Sequence, residues 1–398
     1  MNILCLTFYF DPDLSPGSFR STTLVNELSS QLNPTDSIHI VTTQPNRYSS
    51  YQPTAAAHEE WHHGGCPIMI QRVTVPTHKN GLLDQTRAFW VYFWATHQLT
   101  RHRQYDLVVA SSSRLFTAFL GARLARRQHA MLFLDIRDLF REAILELVNG
   151  PITRAILNAS LRLVERYTFG YARHINLVSE GFASYFKAFS NATYSYFTNG
   201  IDSLFLTIPT TQLRQDLTPT IILYAGNIGE GQNLHTIIPQ AARQLGDTYR
   251  FRIVGDGSAR QKLEAALRDE RITNVELCPP VNRQALVPEY QNAHYLFLHL
   301  NTLTVCQHVL PSKLFEYGAT DKPIIAGVTG YAAAFVRDYL PNTIIFDPGD
   351  VSDLVQQLRE KPYYTQDRPN FRRQFERRAI NQRLAKQILS SLGRRTVD

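Results

Sequence analysis

Lys313 and Glu316 stand three residues apart in the run Val309-Leu310-Pro311-Ser312-Lys313-Leu314-Phe315-Glu316-Tyr317-Gly318. On a helix they share one face within the first turn. There an ammonium can hold a phosphate while a carboxylate accepts hydrogen bonds from hydroxyl groups. Pro311 suits a helix entrance and Ser312 an N-cap, and the apolar run from Tyr295 to Leu300 reads as a buried strand just upstream. A strand that delivers a helix N-terminus to the C-terminal edge of a parallel sheet puts both side chains where open α/β sheets bind ligands and where anions are favoured. On spacing alone, an exposed Lys-Glu pair worth well under ~1 kcal/mol accounts for the same residues.

A second candidate is glycine-rich. The strand Ile221 to Ala225 runs into GNIGEGQNLHTII, where Gly226, Gly229 and Gly231 let backbone amides approach a ligand and a helix starting near Asn233 aims its dipole at a diphosphate. A tight turn explains the glycines equally well. The next unit, FRIVGDGSARQKLE, repeats strand, glycine turn and helix, with Gly255 and Asp256 in the turn. Two sets of residues can be written as metal sites, Asp11-Pro12-Asp13 and His58, His62, His63 with Cys66. The first sits with Pro and Gly at a strand exit and reads as a solvated turn. The second has no closed four-ligand pattern and reads as a surface loop, so no metal is expected.

The elements that must position these residues alternate. Strand-like runs recur from Asn2–Phe8 through Ile38–Val41, Ile68–Val73, Leu107–Ala110, Met131–Leu134, Ile175–Val178 and Tyr194–Phe197, with helix-like segments between several of them. Alternation of this kind means mostly parallel sheets covered on both sides. The first βα loop lacks a GxGxxG, which argues against a dinucleotide-dependent oxidoreductase. At 398 residues two domains are expected. The balance of 41 basic and 34 acidic side chains gives a net charge of +7, which favours anionic partners. The arginines are spread over helices rather than pooled, so nucleic acid is not among those partners. Four scattered cysteines fit neither a disulfide framework nor a CxxC pair. Without a leader pattern or an apolar run of spanning length, a cytoplasmic location is the simplest expectation. Leu82 to Leu99 crowds Phe89, Trp90, Tyr92, Phe93 and Trp94 beside Arg87, Arg101, His102 and Arg103. That composition suits either a membrane interface or a buried helix of the first domain.

The segment PSKLFEYGATDKPIIAG resembles the nucleotide-sugar signature of retaining glycosyltransferases with the GT-B fold, in the glycogen-synthase-like family that builds bacterial polysaccharides. Similar proteins carry a Glu, seven residues, then a second Glu. The second matches Glu316, and counting back eight positions lands on His308. FYFDPDLSPGSFRSTTLVNELS resembles the opening of the same group, which makes Gly17, Ser18 and Arg20 candidates for phosphate or acceptor contact. LDIRDLFREAI resembles a segment whose carboxylate points into the interdomain cleft. Asp138 is the preferred acceptor-side carboxylate there and Asp135 the second, with N-capping as the alternative role for Asp138. FTNGID at Phe197 to Asp202 resembles the end of the first domain.

The resemblance implies an α/β GT-B fold of two Rossmann-like lobes: an acceptor-binding domain at 1–202, a linker at 203–219, a nucleotide-sugar domain at 220–365 and a returning C-terminal helix at 366–398. It implies donor contacts from Gly226, Asn227, Gly229, Gln232, Gly255, Asp256, Val281, Val309, Leu310, Ser312, Lys313 and Glu316. Asn227 and Gln232 stand where relatives supply an Arg and a Lys to the diphosphate. The activity implied is retaining transfer of a sugar, with a UDP-sugar the expected donor, to a glycan or polyprenyl-diphosphate-linked acceptor. Asp138, His308, Lys313 and Glu316 would carry it without a metal ion, on the cytoplasmic face of the inner membrane or free in the cytoplasm. A nucleotide-sugar 2-epimerase and a non-catalytic nucleotide-sugar-binding protein are the alternatives.

Overall fold

The computed structural model describes residues 1–48, 50, 53–62, 65–76, 82–112, 115–208 and 219–392. The chain divides into two compact units, Met1–Asn199 with Arg377–Asp398, and Gly200–Glu376. Most of the expected linker at 203–219 lies outside the described residues, and its first part forms the short helix Ser203–Leu206 of the second unit.

In the first unit, the described strands are β1 (Asn2–Leu6), β2 (Ser37–Thr43), β3 (His58–Trp61), β4 (Ile68–Val73), β5 (Leu107–Ser112), β6 (Met131–Ile136), β7 (His174–Leu177) and β8 (Thr193–Ser195). They form one sheet in the order β3-β4-β2-β1-β5-β6-β7-β8. All neighbours are parallel except β3, which runs antiparallel to β4. Strands β1, β5 and β7 are buried on both faces along nearly their whole length, as a sheet covered by helices on both sides requires. Strand β3 falls inside the stretch expected to be a loop. Its residues His-Glu-Glu-Trp are largely open to solvent, so this edge strand carries no apolar alternation to read.

The first helix, Pro16–Ser30, begins with proline at its first turn, and the Ser15 hydroxyl caps it by accepting from the Ser18 N–H at 3.1 Å. Leu24, Val25 and Leu28 pack into the core of the first unit, where Leu384 and Ile388 of the C-terminal helix Arg377–Ser391 join them. One continuous returning helix was expected within 366–398. Instead Pro369–Gln374 ends in the second unit and Arg377–Ser391 begins in the first. The break comes at a turn at Phe375, whose carbonyl accepts the Ile201 N–H at 2.7 Å, and Glu376 bridges to Ile201 instead of continuing the helix. In helix Leu82–Thr100, Phe89, Tyr92 and Phe93 are buried, as a helix of the first unit's core requires, whereas Trp90 and Trp94 are exposed. Among the described residues, no helix is long and apolar enough to cross a membrane.

The second unit holds β9 (Thr220–Ala225), β10 (Tyr249–Val254), β11 (Val275–Cys278), β12 (Tyr295–His299), β13 (Ile324–Gly327) and β14 (Thr343–Phe346). Their order is β11-β10-β9-β12-β13-β14, all parallel. This is the doubly wound Rossmann order, in which the chain reverses its winding between β9 and β12. Ile222, Tyr224, Phe251, Ile253 and Phe297 form its core with the helices Leu234–Leu245 and Val351–Glu360. Sheets wound in this way bind ligands beyond the C-terminal ends of the two strands at the reversal. Here those ends lead into Gly226 and Leu300.

Candidate functional site

In the second unit, the turn after β9 interlocks with the turn after β10. Gly226 donates to the Val254 carbonyl at 2.8 Å, and the Ile228 N–H donates to the Asp256 carbonyl at 2.8 Å. Gly255, at φ +152°, lies so close to the Gly226 carbonyl that a Cβ on it would sit 1.9 Å from that oxygen, so a side chain is excluded by backbone. The Asp256 carboxylate accepts from the N–H of Gly257, 2.8 Å away, and so serves the turn itself.

Because β12 lies beside β9, the segment that follows it reaches the same glycine turn. The Lys313 ammonium lies 4.9 Å from the centre of the Tyr224 ring, and a Cβ on Gly226 would fall 1.7 Å from its Nζ. Absence of a side chain at Gly226 therefore makes room for the cation. Glu316 turns elsewhere. One carboxylate oxygen accepts from the Tyr290 hydroxyl at 2.8 Å, and the other lies 3.4 Å from an Arg283 nitrogen. Arg283 also pairs with Asp202 at 3.0 Å and stacks over Phe205. Burial, with the neighbouring Glu316 carboxylate adding to it, raises the Tyr290 hydroxyl far above its ordinary range, so it stays a donor. The carboxylate is held in place yet keeps lone pairs for further donors.

Asn227 and Gln232 bond to each other: the Asn227 amide donates to Gln232 Oε1 at 2.9 Å, and that oxygen also accepts from the Gly229 N–H at 3.2 Å. The pair is a clasp across the loop in place of two cations. Beneath it His299, fully buried, donates from Nδ1 to the Gln232 carbonyl at 2.8 Å and accepts the Gly349 N–H on Nε2 at 3.1 Å. Burial pushes the imidazole down to about 4, which keeps it neutral and fixes the tautomer these two bonds demand.

Ser312 occupies the N-cap position of helix Lys313–Ala319, but its backbone is already helical and its side chain makes no capping bond, which corrects the expected cap. The turn closes instead through the Pro311 and Ser312 carbonyls, which accept from Leu314 and Phe315. Leu310 is buried, so only its backbone is available to a ligand, while Val309 and His308 are half-buried. His308 ends the short helical turn Thr304–Gln307 and donates its N–H to the Val305 carbonyl. Val281 is half-buried just before Asn282, whose side chain caps helix Arg283–Asn292 by accepting from Ala285 at 2.9 Å. Arg283, Tyr290 and Tyr224 were missed from sequence. Each is an ordinary helix or strand residue until the fold brings it to Glu316 or Lys313.

In the first unit the loops after β1 and β6 carry the corresponding edge. Arg20 is not available for a ligand: it is 1% exposed and grips Asp135 through two bonds of 2.8 and 2.9 Å, while donating to the Thr198 and Phe197 carbonyls. Burial by itself would raise the Asp135 carboxyl, but Arg20, Arg137 and the Asn176 amide outweigh it and hold it below the usual range. Asp135 is thereby committed to structure, and Asp138 is the carboxylate open to solvent. Helix Phe140–Leu147 is capped by Leu139, so Asp138 lies one residue ahead of the cap and does not serve it. Its pKa is pushed up to about 6, desolvation by the dense surrounding protein being the larger cause, against the pull of Arg137 and Arg47. The density of its surroundings and its open surface point in opposite directions, and the open surface moderates the rise.

Arg137, also missed from sequence, lies against the start of the first helix. A Cβ on Gly17 would come 2.8 Å from Arg137 Nη1, and that nitrogen is buried with no hydrogen-bond partner among the described residues. Burial, with Arg20 adding repulsion, lowers its pKa to about 10, so it remains a cation at neutral pH. Ser18 Oγ and Asn199 Oδ1 are likewise buried and unpartnered among the described residues. In both units an arginine or lysine thus rests on a glycine beyond the sheet.

The expected solvated turn at Asp11-Pro12-Asp13 is a correction as well. Asp13 is buried, and its carboxylate accepts from the Asn46 and Arg47 N–H groups, both at 3.0 Å. Cys66 packs on Ser29, His58 lies in β3, and His63 lies outside the described residues.

Residues 210–382 match the family model described as glycosyl transferases group 1. Over 142 residues the chain is 28% identical to WcaI of Escherichia coli (strain K12), a protein named as a colanic acid biosynthesis glycosyl transferase; the match spans 35% of each chain. Among solved structures, a sucrose-phosphate synthase from Thermosynechococcus elongatus superposes with a TM-score of 0.73 at 14% identity, covering 99% of both chains. Anabaena HepE, in complex with UDP and glucose, gives 0.64 at 16% identity, covering 98% of this chain and 100% of that one. These likenesses establish a GT-B fold.

Proposed function

We propose that this chain, which carries a glycosyl transferases group 1 domain over residues 210–382 on a GT-B fold, moves a sugar from a nucleotide-diphosphate sugar to a hydroxyl acceptor with retained configuration. The observation that carries the reading is the Lys313 ammonium resting on Gly226 where β9 and β12 reverse the winding, with Glu316 fixed one helical turn away by Tyr290 and Arg283. In this reading Lys313 and the amides from Gly226 to Gly231 and at Val309 and Leu310 receive the diphosphate. Glu316 accepts from the ribose hydroxyls. Fixed cations and dipoles stabilise the leaving nucleotide, which is where charge develops as the glycosidic bond breaks. Asp138 of the first unit orients or deprotonates the acceptor hydroxyl, and His308 bonds a hydroxyl of the donor sugar. UDP is the favoured nucleotide, in keeping with the UDP held by HepE. A glycan in polysaccharide synthesis is the favoured acceptor, in keeping with the name of the E. coli relative, and we propose that it is presented as a lipid-linked saccharide at the cytoplasmic membrane face.

A donor screen by mass spectrometry tests this. The purified chain is incubated with UDP-, GDP- and dTDP-sugars, with and without a polyprenyl-diphosphate sugar, and with EDTA in a parallel set. Acceptor-dependent release of nucleoside diphosphate, a product heavier by one sugar and turnover that survives EDTA are expected. Release of an epimerised sugar without acceptor would replace the reading with an epimerase. Tight donor binding without turnover on a broad acceptor panel would replace it with a binding protein.

A further inference from the structure

Helix Pro151–Phe169 buries one side only, with Leu161, Glu165, Thr168 and Phe169 turned inward. At about 100° per residue, Ile152, Ile156, Leu163 and Tyr167 fall within roughly 60° of one another on the side opposite that face. Ile152 is 74% exposed, Ile156 64% and Leu163 67%. The ridge pointing away from the core is therefore apolar, where a helix of a water-exposed surface is ordinarily polar. Leu147, at the end of the preceding helix, is exposed as well.

The charges beside the ridge identify its partner. Arg154, Arg162 and Arg166 are exposed, and the one carboxylate of this helix, Glu165, is buried and paired with Arg141 at 2.8 Å. Arg162 and Arg166 border the ridge along one side. In a two-fold dimer built on this face, the patch would meet its own copy and set arginine against arginine, with no exposed carboxylate on the helix to answer it. An anionic surface answers Arg162 and Arg166, whereas Arg154 lies on the opposite side of the helix. Helix Leu115–Gln128 extends the same side of the unit: its Phe119 ring meets Tyr167 at 5.3 Å, its Phe116 ring meets Phe89 at 5.1 Å, and Arg123 and Arg127 are exposed on it. Beyond Phe89, Trp90 and Trp94 stand exposed, rings suited to head-group depth.

We propose that helix Pro151–Phe169 is the element by which the first unit seats on an anionic phospholipid bilayer. The Ile and Leu ridge enters the acyl boundary, Arg162 and Arg166 meet lipid phosphates, and Trp90 and Trp94 contribute a second contact. The inference concerns one unit and holds whether or not the chain transfers sugar.

Co-sedimentation of the full chain with vesicles tests it, using phosphatidylcholine alone and phosphatidylcholine mixed with phosphatidylglycerol, without any nucleotide sugar. The unaltered chain should pellet with the anionic vesicles and be released by salt. Replacing both Ile156→Gln and Leu163→Gln, at positions too exposed to matter for folding, should weaken partitioning roughly tenfold or more. Replacing Arg162→Gln with Arg166→Gln should remove the preference for the anionic lipid. No binding to anionic vesicles, binding unchanged by the Ile156 and Leu163 replacements, or a dimer that those replacements dissociate in analytical ultracentrifugation would overturn the proposal. A chain that binds vesicles yet turns over no donor would leave this inference standing and remove the transferase reading.

Discussion

Replacement of Gly226 by alanine separates two roles of that residue. At φ +145° any L side chain is strained, and the new Cβ would fall 1.7 Å from Lys313 Nζ and 2.5 Å from its Cε. The backbone strain costs about 1–3 kcal/mol. The clash itself is cheap to relieve, because the atoms in the way are the far end of a flexible side chain. The variant should therefore fold, with a urea-unfolding free energy lower by about 1–3 kcal/mol. Gly255→Ala is the contrast. Its Cβ would meet the Gly226 carbonyl oxygen at 1.9 Å and the Gly226 carbonyl carbon at 2.9 Å, so backbone has to move and the loss should be clearly larger. Relief of the clash in Gly226→Ala displaces the Lys313 ammonium from the loop. UDP affinity by calorimetry should then fall about tenfold, equivalent to ~1.4 kcal/mol, close to the loss in Lys313→Met. Combining the two replacements should cost little more than either alone, since both remove one interaction. Fully additive losses, or UDP binding by Gly226→Ala equal to that of the unaltered chain, would refute the argument that this glycine exists to admit the lysine.

Asp138, with its pKa pushed up to about 6, loses its ionised form as pH falls through that value, so kcat/KM should decline on the acid side near pH 6. Asp138→Asn should lower kcat more than donor KM and erase that limb; persistence of the limb in the variant would exclude Asp138 as its source. Arg20→Ala leaves the Asp135 carboxylate buried without its partner and should cost about 3–5 kcal/mol in urea unfolding, whereas a loss under ~1 kcal/mol would mean the pair is dispensable. His39, His174 and His299 are each pushed down to about 4 by burial, against an ordinary value of 6.5. Between those limits the unfolded chain binds more protons than the folded one, so stability is intact above pH 6.5 and falls toward pH 4. His299→Asn keeps a donor toward the Gln232 carbonyl and should shallow that acid slope by roughly 3 kcal/mol over the window, as read from unfolding free energies at both ends.

The alternation of strands and helices was legible because parallel strands buried on both faces are written as uninterrupted apolar runs, such as Ile3 to Leu6 and Tyr295 to Leu298. What escaped is what lacks that signal. Strand β3 is polar and lies at an edge, and the break at Phe375 depends on a hydrogen bond to Ile201, 174 positions away in the chain. The positions of Lys313, Glu316, Gly226 and Asp138 were visible in local motifs, but their partners were not.

Sequence by itself determined that a lysine and a glutamate begin the same helix after a buried strand, that glycines follow the strands before it, and that one acidic residue lies near the end of β6 and another just beyond it. Only the tertiary structure decided how these groups are used. It spent Asp135 on Arg20 and left Asp138 open. It set Lys313 on Gly226, tied Glu316 to Tyr290 and Arg283, and closed Asn227 on Gln232. The reason is physical. Covalent order fixes which residues share a turn, whereas the competition for each carboxylate and amide is settled by groups that strand order brings together from distant parts of the chain.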